Sequence, residues 1–289
     1  MTADATRAFR PSGRARAWLY GLLWNCGHLL HRAGNACGTI AAGLLRRDDL
    51  QEASRQQWRG YAASDDEVDA GLTGFEQRLF SRWLRPADRV LLIGSGAGRD
   101  LVGLCRLGYD VTGLEPIPEL VERSRHNLER HGLTAPVIPG FVETAPLDCY
   151  DVVIWSCFCY SLVHPARTRV ETLVRLGRCL SPEGRMVLSY ITFRSQSRLS
   201  TTLARFSGRV ASTDWTPEPG DAFTPVHLRP GLLRFEHSFR PEEIARECAK
   251  AGLRIVAEEI CDERTRYIVT ERSNQSGRGP TLPRPFAQS

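Results

Sequence analysis

Three glycines at alternate positions, Gly94, Gly96 and Gly98, with an acid about twenty residues on at Glu115, are the residues whose types and spacing best suit chemistry. The glycines follow an apolar run, Val90 to Ile93, that reads as a buried strand, and a helix pattern starts at about Arg99. Glycine accepts φ > 0 and has no Cβ, so a ligand can lie against the main chain. The helix beyond points free N–H groups at that ligand. Glu115 closes the next strand, which begins at Asp110, at the separation where a strand–helix–strand nucleotide site carries its ribose acid. A carboxylate suits two adjacent hydroxyls because it is acceptor-only when ionised. The pattern predicts a nucleoside site.

The spacing narrows the nucleoside. A dinucleotide fingerprint, G-x-G-x-x-G, needs its third glycine where this chain has Arg99; the glycine sits one place earlier, at Gly98. The G-x-G-x-G form, its paired acid and the ordered strands and helices over residues 75–271 resemble the class I (Rossmann-like) S-adenosylmethionine (SAM) dependent methyltransferases. The resemblance implies an α/β fold: a seven-stranded, mostly parallel sheet with a C-terminal antiparallel hairpin and helices on both faces. It implies SAM as cofactor, with Gly94, Ser95, Gly96 and Gly98 around the methionine portion, Glu115 at the ribose, and Phe141 and Trp155 beside them. Two departures stand out. Many members carry an acid where this chain has Leu92, and an acid facing the adenine amine where it has Phe141. Phe141 has two roles open to it, a packing surface for adenine or plain core, and Glu143 is a substitute acceptor. Asp100 either compensates for Leu92 or charges a helix start.

The segment Trp155–His164 lies where such enzymes face the methyl acceptor. Its aromatics fit a small apolar acceptor fixed by a few polar contacts, with Tyr160 as a binding residue. His164 is the candidate general base; its alternative is a helix-entry residue before Pro165. Cys157 and Cys159 read as small buried hydrophobes, with a soft-metalloid pair as the other reading, and no metal site is expected. Tyr61 is placed as a lid residue over the cofactor. Trp215 belongs to an inserted acceptor lid, residues 193–236, because long aperiodic loops in compact domains tend to be functional or disordered; an oligomer contact is the insert's other reading.

The elements that position these residues follow from periodicity. Residues 1–16 read as disordered, and 17–58 as helical with a break near Gly34–Gly38. Residues 1–74 form an N-terminal extension, ending in a polar connector over 61–73. Residues 75–271 form the SAM-binding domain, and 272–289 a disordered tail. In the first helix Trp18, Leu22 and Leu29, with Leu19, Leu23, Cys26 and Leu30, share one stripe. That stripe packs on the domain or a second subunit, or else meets a membrane surface over residues 17–45.

Hydrophobic content of 42% and charged content of 25% are those of a globular protein. The net charge of +5 is carried by arginine, Lys250 being the sole lysine, and the arginines are scattered among acids. Nucleic acid is therefore not expected as a partner, and the motifs of base- and arginine-methylating enzymes are absent after the fourth strand. Nine cysteines without paired C-x-x-C spacing fit a reduced, cytoplasmic protein. The expected function is methyl transfer to a small molecule at O, N, S or C. Its rivals are a nicotinamide-dependent oxidoreductase and a non-catalytic scaffold of the same fold; a homo-oligomer is allowed.

Overall fold

The computed structural model describes residues 13–59, 63–192, 198–225 and 233–273. Four helices precede the sheet: α1 (Arg14–Ala42), α2 (Arg47–Arg59), α3 (Asp65–Ala70) and α4 (Gly74–Trp83). Strands and helices then alternate: β1 (Arg89–Ile93), α5 (Arg99–Arg106), β2 (Asp110–Glu115), α6 (Pro118–Arg130), β3 (Val137–Pro139), β4 (Tyr150–Trp155), α7 (Ala166–Cys179) and β5 (Leu180–Thr192). The chain ends with α8 (Arg198–Val210), β6 (Asp221–Pro225), β7 (Leu233–Phe239), α9 (Pro241–Lys250), β8 (Leu253–Ile260) and β9 (Thr265–Arg272).

The sheet follows from which strands are apolar on both faces. Val90, Leu91 and Leu92 of β1 and Val152, Val153 and Ile154 of β4 are fully buried, as expected of central parallel strands covered on each side by helices. The parallel order is β3-β2-β1-β4-β5, and β9 runs antiparallel between β5 and β8. This is the expected architecture of seven strands with a closing antiparallel hairpin.

Two further strands depart from it. Residues 193–236 are expected to be an aperiodic lid, yet they hold α8, β6 and the first part of β7, which pairs antiparallel with β6. β7 joins the sheet in parallel at the far end of β5, where Ile191 meets Ser238 and Thr192 meets Phe239. The insert is thus an extension of the sheet on the side where β4 has already stopped.

The N-terminal half also differs. α1 starts at Arg14 and continues through Gly34–Gly38, and the chain turns only at Gly43. The expected connector holds α3, whose start is fixed by a capping box between Ser64 and Glu67. Thr73 and Glu76 repeat the device at α4. The segments read as disordered at both ends fall largely outside the described residues.

Candidate active site

β1, β2 and β4 end side by side: Ile93 is in register with Leu114 on one flank and Trp155 on the other. The next strand after β1 lies to one side and β4 to the other, so a crevice opens beyond these carboxyl ends, where open α/β sheets bind ligands. The glycine loop turns across it. Gly94 and Gly96 hold φ of 71° and 55°, left-handed values that side chains resist. The Gly94 and Ser95 N–H groups donate to the Leu114 carbonyl at 2.8 and 3.2 Å, tying the loop to β2.

A cavity of about 410 Å³ fills this crevice, within the range of small-molecule sites. Gly94, Ser95, Gly96, Glu115, Phe141 and Trp155 all line it. Glu115 is buried; its carboxylate accepts from the Gly96 N–H at 2.8 Å and the Ile117 N–H at 3.0 Å. Burial raises its pKa, and the two backbone hydrogen bonds oppose that rise. The loop and the acid are therefore one hydrogen-bonded unit. A Cβ at Gly96 would meet nothing nearer than 4.0 Å, so the main chain there faces open space. The buried Ser95 hydroxyl has no hydrogen-bond partner among the described residues. An exposed main chain, an orphaned hydroxyl and a buried acceptor fit the methionine and ribose portions of SAM.

Asp100 stands in the first turn of α5, just beyond the glycine loop. It lies in the cavity wall, buried, and accepts from Ser156 Oγ at 2.6 Å and Arg99 Nε at 2.6 Å. Burial raises its pKa while Arg99 lowers it. Arg99 also donates to Glu76 at 2.7 Å and lies 3.6 Å from Cys157 Sγ. One guanidinium thus spans the acid and thiol cluster of Glu76, Asp100 and Cys157. Cys157 is exposed and Cys159 half-buried, so neither is the fully buried hydrophobe expected; desolvation by the surrounding wall still raises both thiols, Cys157 to about 12.

At the acceptor end, Cys157 and Phe158 hold φ of 51° and 49°. Non-glycine residues enter that region at a cost of about 1–3 kcal/mol. The Phe158 N–H donates to Ser189 Oγ at 2.6 Å, which fixes the turn. His164 follows, buried in the cavity lining against the Phe235 ring at 4.7 Å and the Trp215 ring at 6.0 Å. Neither ring nitrogen makes a well-formed hydrogen bond among the described residues. Burial lowers its pKa; Asp221 and the Leu162 backbone oppose this from nearby. Burial thus favours the neutral imidazole, and both ring nitrogens are themselves buried.

Several expected site residues stand elsewhere. Gly98 is not in the cavity lining: it caps α5 at φ 97°, and a Cβ there would come within 2.9 Å of Ser124 Oγ, so it serves the packing of α6. Tyr160 is wholly buried behind Trp155; its hydroxyl donates to Glu247 at 2.5 Å and its ring stacks on Phe239. Trp215 donates to the Leu45 carbonyl at 2.7 Å and supports His164 from behind, without lining the cavity. Tyr61 lies outside the described residues. The sequence reading missed the roof, where Gln51, Ser54, Arg55 and Trp58 of α2 line the cavity and the Arg55 guanidinium sits 5.5 Å from the centre of the Phe141 ring. Ser54 and Trp58, Gln51 and Arg55 are i,i+4 pairs, but their mixed polarity gives no hydrophobic signal.

Comparisons with known proteins agree with this geometry. A methyltransferase-domain family model matches residues 67–258. A protein-L-isoaspartate O-methyltransferase of Methanoculleus marisnigri is 30% identical over 107 residues, covering 35% of this chain and 46% of that protein. A 23S rRNA (uracil-C5) methyltransferase of Tolumonas auensis is 35% identical over 98 residues, 32% of this chain and 22% of that protein. The chain spans about half the length, or less, of these curated relatives. The fold matches a crystal structure of a SAM-dependent methyltransferase from Methanosarcina mazei with a TM-score of 0.57 at 16% identity, covering 70% of this chain and 98% of that one.

The rRNA methyltransferase corrects one expectation: scattered arginines do not exclude a nucleic-acid partner, because relatives sharing this domain include an enzyme named for an RNA base. Neither does the nicotinamide alternative survive the match. With its family model spanning most of the sheet, the chain belongs to the class I, SAM-dependent methyltransferases.

Proposed function

We propose that this protein transfers a methyl group to a small molecule held in the cavity between the glycine loop and His164. One observation carries this reading: the buried His164, whose ring nitrogens make no well-formed hydrogen bond among the described residues, lines the same cavity as the SAM-type loop and its acid. SAM brings a methyl group already activated by a sulfonium sulfur, so the protein's work is chiefly to position the partners and exclude water. Gly94, Ser95, Gly96 and Asp100 hold the methionine portion, Glu115 the ribose, and Phe141 the adenine face. Trp155, Phe158, Leu162 and Val163 give the acceptor an apolar seat. His164 takes the proton of a hydroxyl or another protonated nucleophile as the new bond forms.

The test is a single-turnover assay against a panel of small hydroxylated and amino acceptors, with His164→Gln alongside. That variant should lose about 10²–10⁴-fold in rate with unchanged affinity for S-adenosylhomocysteine. Methylation of a protein or RNA fraction, with no small-molecule turnover, would overturn the proposed acceptor class.

A further inference from the structure

α1 does not pack on the domain along its length, as one reading of its apolar stripe requires. Only its last turns do so, where Thr39 and Ala42 are buried. The preceding residues stand out from the body: Trp18 and Leu29 are each 69% exposed and Leu30 is 73% exposed. At 3.6 residues per turn, Trp18, Leu19, Leu22, Leu23, Leu29 and Leu30 fall within an arc of about 140°. Arg14 and Arg32 flank one border of that arc, and Arg16 the other.

A second stripe lies on α8, the helix that packs against the end of α1. Leu199, Leu203, Phe206 and Val210 recur there at i, i+4, i+7 and i+11, and all four are exposed. The end of α1 and the middle of α8 are locked together. Ser207 Oγ donates to the Ile40 carbonyl at 2.9 Å, and Gly43 fits so closely against the Ala204 carbonyl that no Cβ is possible there. The two stripes therefore belong to one piece of the molecule.

Charge identifies the occupant. Residues 5–47 contain seven arginines and no acid, and residues 193–213 contain four arginines and no acid. No ion pair is formed by Arg14, Arg16, Arg32 or Arg209 among the described residues. A second copy of this chain would set these cationic borders against each other. Anionic headgroups neutralise them, and Trp18, Tyr20 and Trp24 are the residue types favoured at a bilayer interface. No helix of the described residues is long and apolar enough to cross a membrane.

We propose that α1 and α8 form a docking face for the surface of a bilayer containing anionic phospholipid, with the apolar stripes among the acyl chains and the arginines at the headgroups.

Flotation of the full chain with phosphatidylcholine vesicles, with and without phosphatidylglycerol, tests this. Binding should require phosphatidylglycerol and weaken as salt shortens the screening length to about 3 Å at 1 M. Leu22→Glu with Leu29→Glu, and separately Phe206→Glu with Val210→Glu, should each weaken binding about tenfold or more. Affinity for S-adenosylhomocysteine should stay unchanged in both, which shows that the variants fold. Should either pair disturb folding, Arg14→Glu with Arg32→Glu probes the same face at exposed positions and should also abolish the preference for phosphatidylglycerol. Equal binding to neutral vesicles, no binding to either kind, or a dimer in light scattering that the leucine variants dissociate would each overturn the proposal.

Discussion

Glu115 is bound to its own loop before any ligand arrives: Gly96 and Ile117 already donate to the carboxylate. A side chain so held is already ordered for the ribose hydroxyls that the proposed function assigns to it. Glu115→Ala should therefore lose both a charged acceptor and the tether of Gly96. Hydrogen bonds to charged groups contribute about 1.5–3 kcal/mol, so calorimetry should show S-adenosylhomocysteine binding weakened about 10–150-fold. Glu115→Gln should recover only part of this, because its amide NH₂ must face one of the two N–H donors. Burial raises the Glu115 pKa above its ordinary 4.5. Affinity should consequently fall on acidification at a higher pH than an exposed glutamate would dictate, and the alanine variant should lack that limb. At His164, the proposed base, burial shifts the pKa the other way. Its pKa is lowered from 6.5 by burial, so the basic form persists into mildly acid solution and methyl transfer should decline only below that ordinary value. Glu115 was legible in the sequence because a loop and an acid at fixed separation are a local signal. Asp100 and the α2 roof were not, since their relation to the cavity depends on how α5 and α2 pack.

At the scale of elements, the inserted hairpin is held by charge. Arg169 of α7 is fully buried and donates to Glu247 of α9 at 2.8 and 3.0 Å and to Glu218, before β6, at 3.1 Å. Tyr160 caps the same Glu247, and Phe239 of β7 lies 5.0 Å beneath the guanidinium. Removing one partner of a buried pair leaves an uncompensated charge and costs about 3–5 kcal/mol. Arg169→Met should lower urea stability by that amount, and Arg169→Met with Glu247→Leu by clearly less. Beside it, His237 bridges Asp221 at 2.6 Å and Glu243 at 3.1 Å. Burial opposes its charge, but these two acids outweigh burial and raise its pKa to about 9. A raised folded pKa stabilises fully below the unfolded value, about 6.5, and is lost as pH rises through 9. Thermal stability should thus decline between those limits, and His237→Gln should flatten the slope. None of this network is visible in sequence, because its members lie far apart along the chain. α8 is a different case: Leu199, Leu203, Phe206 and Val210 carry a helical period, but flanking Ser, Thr and Arg dilute it, and the stripe faces outward.

For the molecule as a whole, the parallel sheet was readable because its strands are apolar on both faces and its helices amphipathic, so period and burial coincide. The N-terminal helices were harder to place, since their polar face completes a cavity and their apolar face packs on little of the described fold. That inversion has a consequence for ligand binding. The sheet edge supplies Gly94, Glu115 and Trp155, whereas Ser54, Arg55 and Trp58 come from α2, a helix anchored through Leu50 to a small cluster with Ala42, Trp215 and Phe235. A ligand that fills the cavity bridges the two parts and binds only when they are assembled. Occupancy at about one hundred times the dissociation constant stabilises a folded state by about 2.7 kcal/mol, and local opening of the bridging segment should be suppressed with it. Hydrogen exchange should accordingly show slower exchange over residues 51–58 when S-adenosylhomocysteine is added. The helical part of α1 ahead of Thr39, which touches neither the ligand nor the sheet edge, should exchange as before. Protection confined to the glycine loop and β2, with α2 unchanged, would show that the cavity closes without its N-terminal roof.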